Sequence, residues 1–367
     1  MRVGVATIFQ NPEFLESDRD VYNQELRLAD LIEPLGFDSA WAIEHHFTDY
    51  TMCPDPLQFL TWMAGRTTRI QLGSAVVVLP WHDPLRVAEQ VAVLDHYSDG
   101  RVILGIGRGL GRVEFAGLRV PMDESRARFV ESAQALLQGL EQGYVEFDGK
   151  FIKQPRVPIH PAPFRSFRGR TYAAAVSVES FQIMADLGVG ILIIPQKPWE
   201  VHAAETEMYR QAYRERNGAE APPTTVLAFV YCDEDEDRAR ALARQHIGNY
   251  WASVVKHYEL SSEHLATTKG YEYYGAMQGM IQGGGADAIT EMFIDLQVWG
   301  TPEQCLDKIR AIRDRVRNDT VVCAFKYGGL PLEMAERSMR LFARAVRPRV
   351  AALSEAPTLQ LVAGGRA

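Results

Sequence analysis

The sequence predicts an α/β fold, a (βα)8 TIM barrel with an irregular insertion before the eighth strand. Strand-like and helix-like segments alternate from end to end, which is typical of parallel βαβ units. Eight such pairs favour a closed barrel over an open sheet, and 367 residues is an ordinary length for a one-domain barrel. The third strand segment is a near-continuous apolar run, as expected for a strand covered on both faces.

The predicted strands are short apolar runs, and a predicted helix follows each of them. The strands lie at residues 2–9, 39–43, 70–79, 102–106, 171–176, 190–194, 226–232 and 320–325. The helices lie at residues 18–35, 56–66, 84–97, 123–140, 178–187, 199–216, from the acidic run 233–241 onward, and at 331–346.

Capping and breaking residues set the helix boundaries. Asp18 and Asp20 lie near the positive end of the first helix, which stops at Gly36. Pro84 begins the third helix and Gly100 follows its end, the usual preference for proline at the start and glycine after the end. The acidic run 233–241 is interpreted as the solvated start of a helix and not as a metal site.

A hairpin is predicted on the rim of the barrel. The segment YVEFDGKF at 144–151 alternates around a turn at Asp148-Gly149, which is typical of a β-hairpin. Four prolines within residues 155–163 then predict an extended surface connection.

Residues 260–300 break the alternation of strands and helices. They contain too many glycines for one firm helix, and a long insertion inside a compact domain is usually functional or mobile. We expect one domain over residues 1–350, in which residues 260–300 form a mobile lid over the barrel mouth. Residues 351–367 are predicted to be a C-terminal tail.

Composition and charge narrow the class of protein. A net charge of -8 and a pI near 5.7 disfavour nucleic acid as a partner. The four cysteines stand far apart, which argues against a zinc site or a disulfide framework and fits a reducing compartment. The N-terminal run MRVGVATIF is too short for a signal peptide, and the sequence contains no apolar stretch long enough to span a membrane. We therefore expect a cytoplasmic protein without a membrane partner.

Residues just after the strands are the candidates for chemistry, because the active site of a βα barrel lies at the carboxyl ends of its strands. They should converge on one mouth. The candidates are His45 and His46 after the second strand, Ala75 and Val76 within the third, residues 107–111 after the fourth, Ser177 to Ser180 after the fifth, and residues 195–197 after the sixth. The sequence has no GxSxG elbow, so it does not support a Ser-His-Asp hydrolase.

The run Glu44-His45-His46 invites a metal interpretation. Neighbouring side chains at an extended strand end point to opposite faces, so adjacent histidines rarely share a metal, and we predict none. We expect one of the two histidines to point into the barrel mouth and to act in acid–base catalysis or hydrogen bonding. The alternative, which stays open, is that this histidine has a structural role.

Two features suggest an anion site. The motif GIGRGLG at 105–111 has Leu110 where a dinucleotide fingerprint needs its last glycine, so a glycine-rich turn with Arg108 remains. That guanidinium would either bind a phosphate or face solvent. Ser177 and Ser180 begin the fifth helix, where hydroxyls and free N–H groups either hold an anion or simply cap the helix.

At these residues the sequence resembles the bacterial luciferase-like, flavin-dependent monooxygenase family, and most closely the luciferase alpha subunit and its non-luminous relatives. The similarity runs over nearly the whole chain. It is carried by motifs in a specific order and spacing: AIEHHFTDY at 42–50, LGSAVVVLP at 72–80, LDHYSDGRVILGIGRGL at 94–110, TKGYEYY at 268–274 and GTPEQC at 300–305.

The resemblance implies a βα barrel that takes reduced FMN from a separate reductase, lets O2 add to the flavin, and uses the resulting hydroperoxide on an organic substrate. The residue roles that it implies are catalysis for His45, a non-proline cis peptide under the flavin ring for Ala75 and Val76, and phosphate-side binding for Arg108, Gly109, Leu110, Ser177 and Ser180.

The sequence departs from the luciferase pattern in three places. Val176 stands where luciferase has a glutamate, and QGGGADAITEMFIDLQVW at 282–299 is apolar and acidic where luciferase has a basic, polar segment. Trp81-His82-Asp83 also differs, near the pocket for the aldehyde. The expected substrate is therefore a small apolar organic compound such as an aldehyde, a ketone or a terpene.

The resemblance also places residues 56–66 and 84–97 at a dimer surface. We expect a homodimer in which Ala88 and Ala92 allow two helices to approach closely. Two alternatives stay open, namely a non-catalytic flavin-binding partner subunit and an F420-dependent oxidoreductase. The presence of both His45 and Arg108 argues against the first, and the EHH and RGL motifs favour FMN over F420.

Overall fold

Eight parallel strands close into a barrel in the computed structural model, which describes residues 1–353 except 176, 272–273, 276–277, 280–282 and 284. The strands are β1 (Arg2–Thr7), β2 (Ser39–Ala42), β3 (Gln71–Ser74), β4 (Val77–Val78), β5 (Val102–Gly107), β6 (Tyr144–Asp148), β7 (Lys153–Pro158), β8 (Thr171–Ala174), β9 (Gly190–Ile193), β10 (Thr224–Cys232), β11 (Val298–Gly300) and β12 (Asn318–Ala324). The barrel order is β1-β2-β3-β5-β8-β9-β10-β12, and β12 pairs with β1 to close it. The predicted (βα)8 barrel is confirmed.

Helices surround the barrel and connect its strands. They are α1 (Asp18–Ala29), α2 (Pro56–Ala64), α3 (Pro84–Tyr97), α4 (Arg112–Gly117), α5 (Ser125–Gln142), α6 (Val178–Leu187), α7 (Trp199–Asn217), α8 (Glu236–His257), α9 (His264–Thr267), α10 (Ala286–Asp295), α11 (Pro302–Val316), α12 (Leu332–Ala345) and α13 (Arg347–Ala351). Ser17 caps α1 and Asp83 caps α3 through side-chain oxygens that accept backbone N–H groups.

The third predicted strand is divided in two. The peptide bond between Ala75 and Val76 is cis, and it separates β3 from β4. Both pieces pair with β5, since Leu72 pairs with Val102 and Val77 pairs with Ile106. The bend therefore lies at the carboxyl end of a barrel strand, where the resemblance placed it.

Among the described residues, five helices were not predicted, namely α4, α9, α10, α11 and α13. Helix α4 has only six residues, too few to show a helical period. Helix α11 had a visible signal, because Thr301 and Gln304 form a capping box and Pro302 occupies the first turn.

The prediction of an extended connection over residues 155–163 was partly wrong. Strand β7 includes Pro155 and Pro158 and pairs antiparallel with β6. This two-stranded sheet has only edge strands, which is where a strand tolerates proline.

The predicted role of Ala88 and Ala92 in a close helix contact between two subunits was also wrong. Ala88 and Ala92 are fully buried within this chain. Helix α3 packs on α5, and a Cβ added to Gly139 would lie 3.4 Å from the Cβ of Ala88. The small side chains therefore serve contact inside the barrel's own helical layer.

The insertion before the eighth barrel strand contains α9, α10 and β11 among its described residues, and β11 extends the edge of β10. Most of the predicted tail, residues 354–367, lies outside the described residues. Within the part of the chain that the structure describes, no helix combines the length and the apolar character needed to cross a membrane.

Candidate active site

A cavity of about 180 Å³ opens at the carboxyl ends of the barrel strands. All eight residues predicted for the site line it: His45, Ala75, Val76, Arg108, Gly109, Leu110, Ser177 and Ser180. The sequence rule that placed candidates after the strands therefore brought together residues from four separate strand ends. Gly270, Tyr274 and Phe293 of the insertion also line this cavity, so the described part of the insertion borders the mouth.

His45 is held by a carboxylate that the sequence interpretation did not identify. Its Nδ1 atom lies 2.9 Å from Oε1 of Glu114 on α4, and the backbone N–H of His46 donates to the same oxygen at 2.9 Å. The second oxygen of Glu114 lies 3.4 Å from Nε2 of His257, in the last turn of α8. Glu114 is fully buried, and His257 is 5% exposed.

The electrostatics favour an ionised carboxylate between the two imidazoles. Burial would raise the pKa of Glu114, but the imidazoles of His45 and His257 outweigh that effect and lower the pKa to about 2. Burial lowers the pKa of His257, although the Glu114 carboxylate opposes the change. At neutral pH Glu114 is therefore an anion that accepts a hydrogen bond from Nδ1 of His45 and lies 3.4 Å from Nε2 of His257.

These contacts fix the tautomer of His45. An anionic carboxylate only accepts hydrogen bonds, so Nδ1 of His45 carries the proton and Nε2 has a free lone pair. The hydroxyl of Tyr258 lies 3.3 Å from Nε2. Burial raises the pKa of Tyr258 well above its ordinary value, so the hydroxyl stays protonated and can donate to Nε2.

His45, Glu114 and His257 each place one potential ligand atom within 4.8 Å of the others, a cluster that the prediction of no metal site did not foresee. Oε1 of Glu114 accepts two N–H donors, whereas Oε2 of Glu114 and Nε2 of His257 have no hydrogen-bond partner among the described residues.

His46 points away from His45, as expected for neighbours at a strand end. Its Nε2 atom lies 3.0 Å from Oε1 of Glu44, and Nε2 of His82 lies 2.6 Å from the same oxygen. Burial would raise the pKa of Glu44, but the hydrogen bonds from these histidines outweigh it and lower the pKa. Oε2 of Glu44 accepts the backbone N–H of Val78 at 2.7 Å, so this carboxylate anchors the segment just after the cis bend.

Glycines explain why the 75–76 bend fits against β5. A Cβ on Gly105 would lie 1.9 Å from the carbonyl oxygen of Ser74, and one on Gly107 would lie 2.3 Å from Cγ2 of Val76. Only a residue without a side chain allows so close an approach. The first glycines of GIGRGLG thus serve strand packing, while Gly109, at φ +82°, makes the turn that follows.

Two arginines, Arg108 and Arg126, also line the cavity. Arg108 Nη1 donates to the carbonyl oxygen of Gly270 at 2.8 Å, and Nη2 of Arg126 donates to the same oxygen at 3.2 Å. The Arg108 guanidinium also lies 4.0 Å over the ring of Tyr271. Arg126 pairs with Glu179 as well.

The N-terminus of α6 lies beside Arg126, which pairs with Glu179 in the first turn of that helix. The Ser177 hydroxyl caps the helix by accepting the backbone N–H of Ser180 at 3.3 Å, and the two hydroxyls lie 2.9 Å apart. The capping alternative therefore describes the structure, and both hydroxyls also line the cavity. Val176, the position of the missing glutamate, lies outside the described residues.

Sequence reasoning missed Glu114, Arg126, His257 and Tyr258, which all line the cavity or contact residues that do. From sequence alone, a charged residue in a helical segment is expected to face solvent. Only the packing in the structure shows that Glu114 is buried. For Glu114, its place three residues after the glycine-rich turn was the one available signal.

A βα barrel whose mouth carries arginines and hydroxyls, a histidine hydrogen-bonded to a carboxylate and an apolar wall is typical of barrel enzymes. The sequence matches the family described as luciferase-like monooxygenase over residues 1–318. The chain belongs to that family and is a monooxygenase.

Individual proteins are also similar to this chain over most of its length. The alkanal monooxygenase alpha chain of Photorhabdus luminescens is 28% identical over 349 residues, covering 93% of this chain and 94% of that protein. The crystal structure of monooxygenase RslO1 from Streptomyces bottropensis has a TM-score of 0.80 at 26% identity and covers 95% of this chain and 99% of the other. The oxygenating constituent of 3,6-diketocamphane monooxygenase from Pseudomonas putida, solved with FMN, shares the fold with a TM-score of 0.71 at 18% identity, over 95% of this chain and 98% of the other.

Proposed function

We propose that this protein uses reduced FMN and O2 to oxidise a small apolar organic substrate. The observation that carries the proposal is one cavity that two arginines, two serine hydroxyls, the 75–76 bend and His45 all line. A phosphate-bearing flavin has a charged tail and a planar ring, and this lining offers partners for both.

The residues present fit this cofactor. Arg108, Arg126 and the hydroxyls of Ser177 and Ser180 offer a dianionic phosphate several charge-assisted donors. The N-terminus of α6 adds its free N–H groups. Gly109 and Leu110 also line the cavity, and Ala75 and Val76 would lie against the ring. Bound reduced FMN would supply the electrons and the site where oxygen is activated.

His45 is the residue that we propose for proton work. Its Nε2 lone pair is free to accept a proton or a hydrogen bond near the ring, and Glu114 stabilises the imidazolium that forms when it accepts one. Tyr258 supplies a neutral donor to the same nitrogen.

The remaining wall supports an apolar substrate. It includes the side chains Leu192, Leu227, Phe229, Val254 and Phe293. Such a surface excludes water, which protects a reactive intermediate from hydrolysis or loss. An aldehyde, a ketone or a terpene would suit this wall.

The proposal includes a separate reductase as the source of reduced FMN, a homodimeric assembly and a cytoplasmic location. The buried, unpaired state of all four cysteines supports a reducing compartment.

The direct test supplies photoreduced FMN and air to the purified protein with decanal, a cyclic ketone or a monoterpene. We expect substrate-dependent product by mass spectrometry, with one oxygen atom from 18O2. Hydrogen peroxide alone with every substrate would favour the non-catalytic flavin-binding alternative.

The F420 alternative is tested by the same protein under anaerobic conditions. We expect FMN to bind with saturable fluorescence quenching. Binding of F420 with an affinity above that of FMN, together with hydride transfer to a carbonyl substrate without oxygen, would replace the monooxygenase proposal.

A further inference from the structure

Two imidazoles share one buried carboxylate beside the cavity. Glu114 Oε1 faces Nδ1 of His45 at 2.9 Å, and Oε2 faces Nε2 of His257 at 3.4 Å. The three side chains come from the end of β2, from α4 and from α8, so the barrel fold and not local sequence brings them together.

We propose that His257 is a positioning residue, which holds the second oxygen of Glu114 and thereby sets the tautomer and the proton affinity of His45. The inference rests on the proposed function, because it explains how the histidine assigned there is kept in a usable state. His257 touches none of the reacting atoms and acts through Glu114.

The orientation of His257 is fixed on its other side. The Thr48 hydroxyl lies 2.8 Å from Nδ1 of His257 and can donate to it, which leaves the proton of the neutral ring on Nε2, the atom that lies 3.4 Å from Oε2 of Glu114. Tyr50 stacks on the ring with centroids 4.6 Å apart. A Cβ on Gly111 would lie 2.3 Å from Glu114 Oε2 and 3.1 Å from His257 Nε2, so glycine is needed there to leave room for the pair.

The charge on Glu114 is divided between its two partners. The N–H group of His257, 3.4 Å from Oε2, stabilises part of the negative charge there, and that part is less available to His45. Loss of this N–H group concentrates the charge on the His45 side and favours the imidazolium. The other titratable groups around His257 are His45 itself, Asp49, Tyr50, Lys256, Tyr258 and Glu259.

The experiment measures His45 directly by NMR in protein labelled with 15N in its nine histidines, without flavin or substrate. The His45 signals are assigned by their loss in His45→Gln. Two variants are compared with the parent: His257→Leu, which removes the donor, and His257→Gln, whose amide can still donate to Glu114 and accept from Thr48.

We expect Nδ1 of His45 to carry the proton in the parent, and its titration midpoint to rise by about 0.5 to 1 pH unit in His257→Leu. In His257→Gln the midpoint should stay close to that of the parent. Equal midpoints in all three proteins would overturn the proposal, and so would a His45 tautomer with its proton on Nε2. Stoichiometric zinc, iron or another divalent metal in the purified protein, released only in the His257 variants, would also overturn it by showing that an ion occupies the cluster.

The same variants separate this inference from the proposed function. If the protein oxidises substrate, the acidic limb of the pH–rate profile should move upward in His257→Leu by the shift seen in the spectra, whereas a merely structural role would lower activity equally at every pH. If no substrate is oxidised, the NMR result still decides whether His257 sets the state of His45.

Discussion

The Nδ1 atom of His45 lies 2.9 Å from Oε1 of Glu114, a carboxylate with no exposure to solvent. A histidine that must accept a proton in a dry cavity needs such a counter-charge, because an unpaired imidazolium is costly to bury. Glu114 therefore belongs to the candidate site as much as His45 does.

We expect Glu114→Gln to lower kcat by about 100-fold with little change in the affinity for FMN, because it removes the counter-charge and frees the His45 tautomer. Steady-state kinetics and FMN titration provide the measurements. Glu131→Gln is a matched control, since Glu131 accepts backbone N–H groups of residues 150–152 outside the cavity. A kcat unchanged in Glu114→Gln would contradict the role given to the carboxylate.

Glu114 should also shape the dependence of stability on pH. Its pKa falls from 4.5 to about 2 on folding, since its histidine partners outweigh the effect of burial. A carboxyl group with a lowered folded pKa stabilises the protein above its unfolded pKa, and this contribution is lost as the pH falls from about 4.5 toward 2. Urea unfolding at pH 7 and pH 3.5 should show a smaller drop in unfolding free energy for Glu114→Gln than for the parent protein. An equal drop would show that Glu114 is not ionised in the fold.

Arg108 is expected to bind the phosphate and not the ring. Arg108→Ala should weaken FMN binding by about 10- to 100-fold and leave riboflavin binding nearly unchanged, because riboflavin lacks the phosphate. Fluorescence titration with both flavins provides the measurement. Arg128→Ala is the control, because Arg128 lies on α5 near Arg126 but does not line the cavity; it pairs with Glu124 and stacks on Phe151. Equal losses for FMN and riboflavin would place Arg108 elsewhere in the site.

The parts of the molecule that sequence predicted well are those set by local chemistry. Helix α3 begins at Pro84 and ends at Tyr97 as expected, because proline at the start and a glycine beyond the end leave little freedom. The predicted site residues line one cavity because the carboxyl ends of parallel barrel strands must meet.

The parts that sequence could not predict depend on packing between distant segments. Glu114 and His257 are 143 residues apart in the chain, and each has the sequence context of a solvent-facing helical residue. The 3.4 Å distance between the His257 ring and the Glu114 carboxylate results from the packing of α8 near the barrel mouth. The prediction for Ala88 erred in the opposite direction. Its small side chain suggested a contact with a second subunit, whereas Ala88 is buried within this chain.

Ser177 should have two separable roles, as a helix cap and as a phosphate ligand. Ser177→Ala is expected to lower the unfolding free energy by about 1 kcal/mol through loss of the cap, and also to weaken FMN binding more than riboflavin binding. Ser17→Ala is a matched control, because Ser17 caps α1 in the same way and does not line the cavity. It should reproduce the loss of stability alone. Equal flavin affinities in both variants would leave Ser177 with the capping role only.

Gly107 tests whether the bend at Ala75 and Val76 is held by close packing against β5. An added Cβ would lie 2.3 Å from Cγ2 of Val76, so Gly107→Ala must displace either the Val76 side chain or the strand. Such overpacking should lower the unfolding free energy by about 1 to 3 kcal/mol, and the displaced bend should weaken binding of FMN and riboflavin alike, because both carry the ring. Gly65→Ala is the control, since the nearest atom to its added Cβ is 3.8 Å away and its φ of −75° suits alanine. That variant should be neutral or slightly more stable. Flavin binding retained in Gly107→Ala, despite a measured loss of stability, would show that the flavin ring does not lie against this bend.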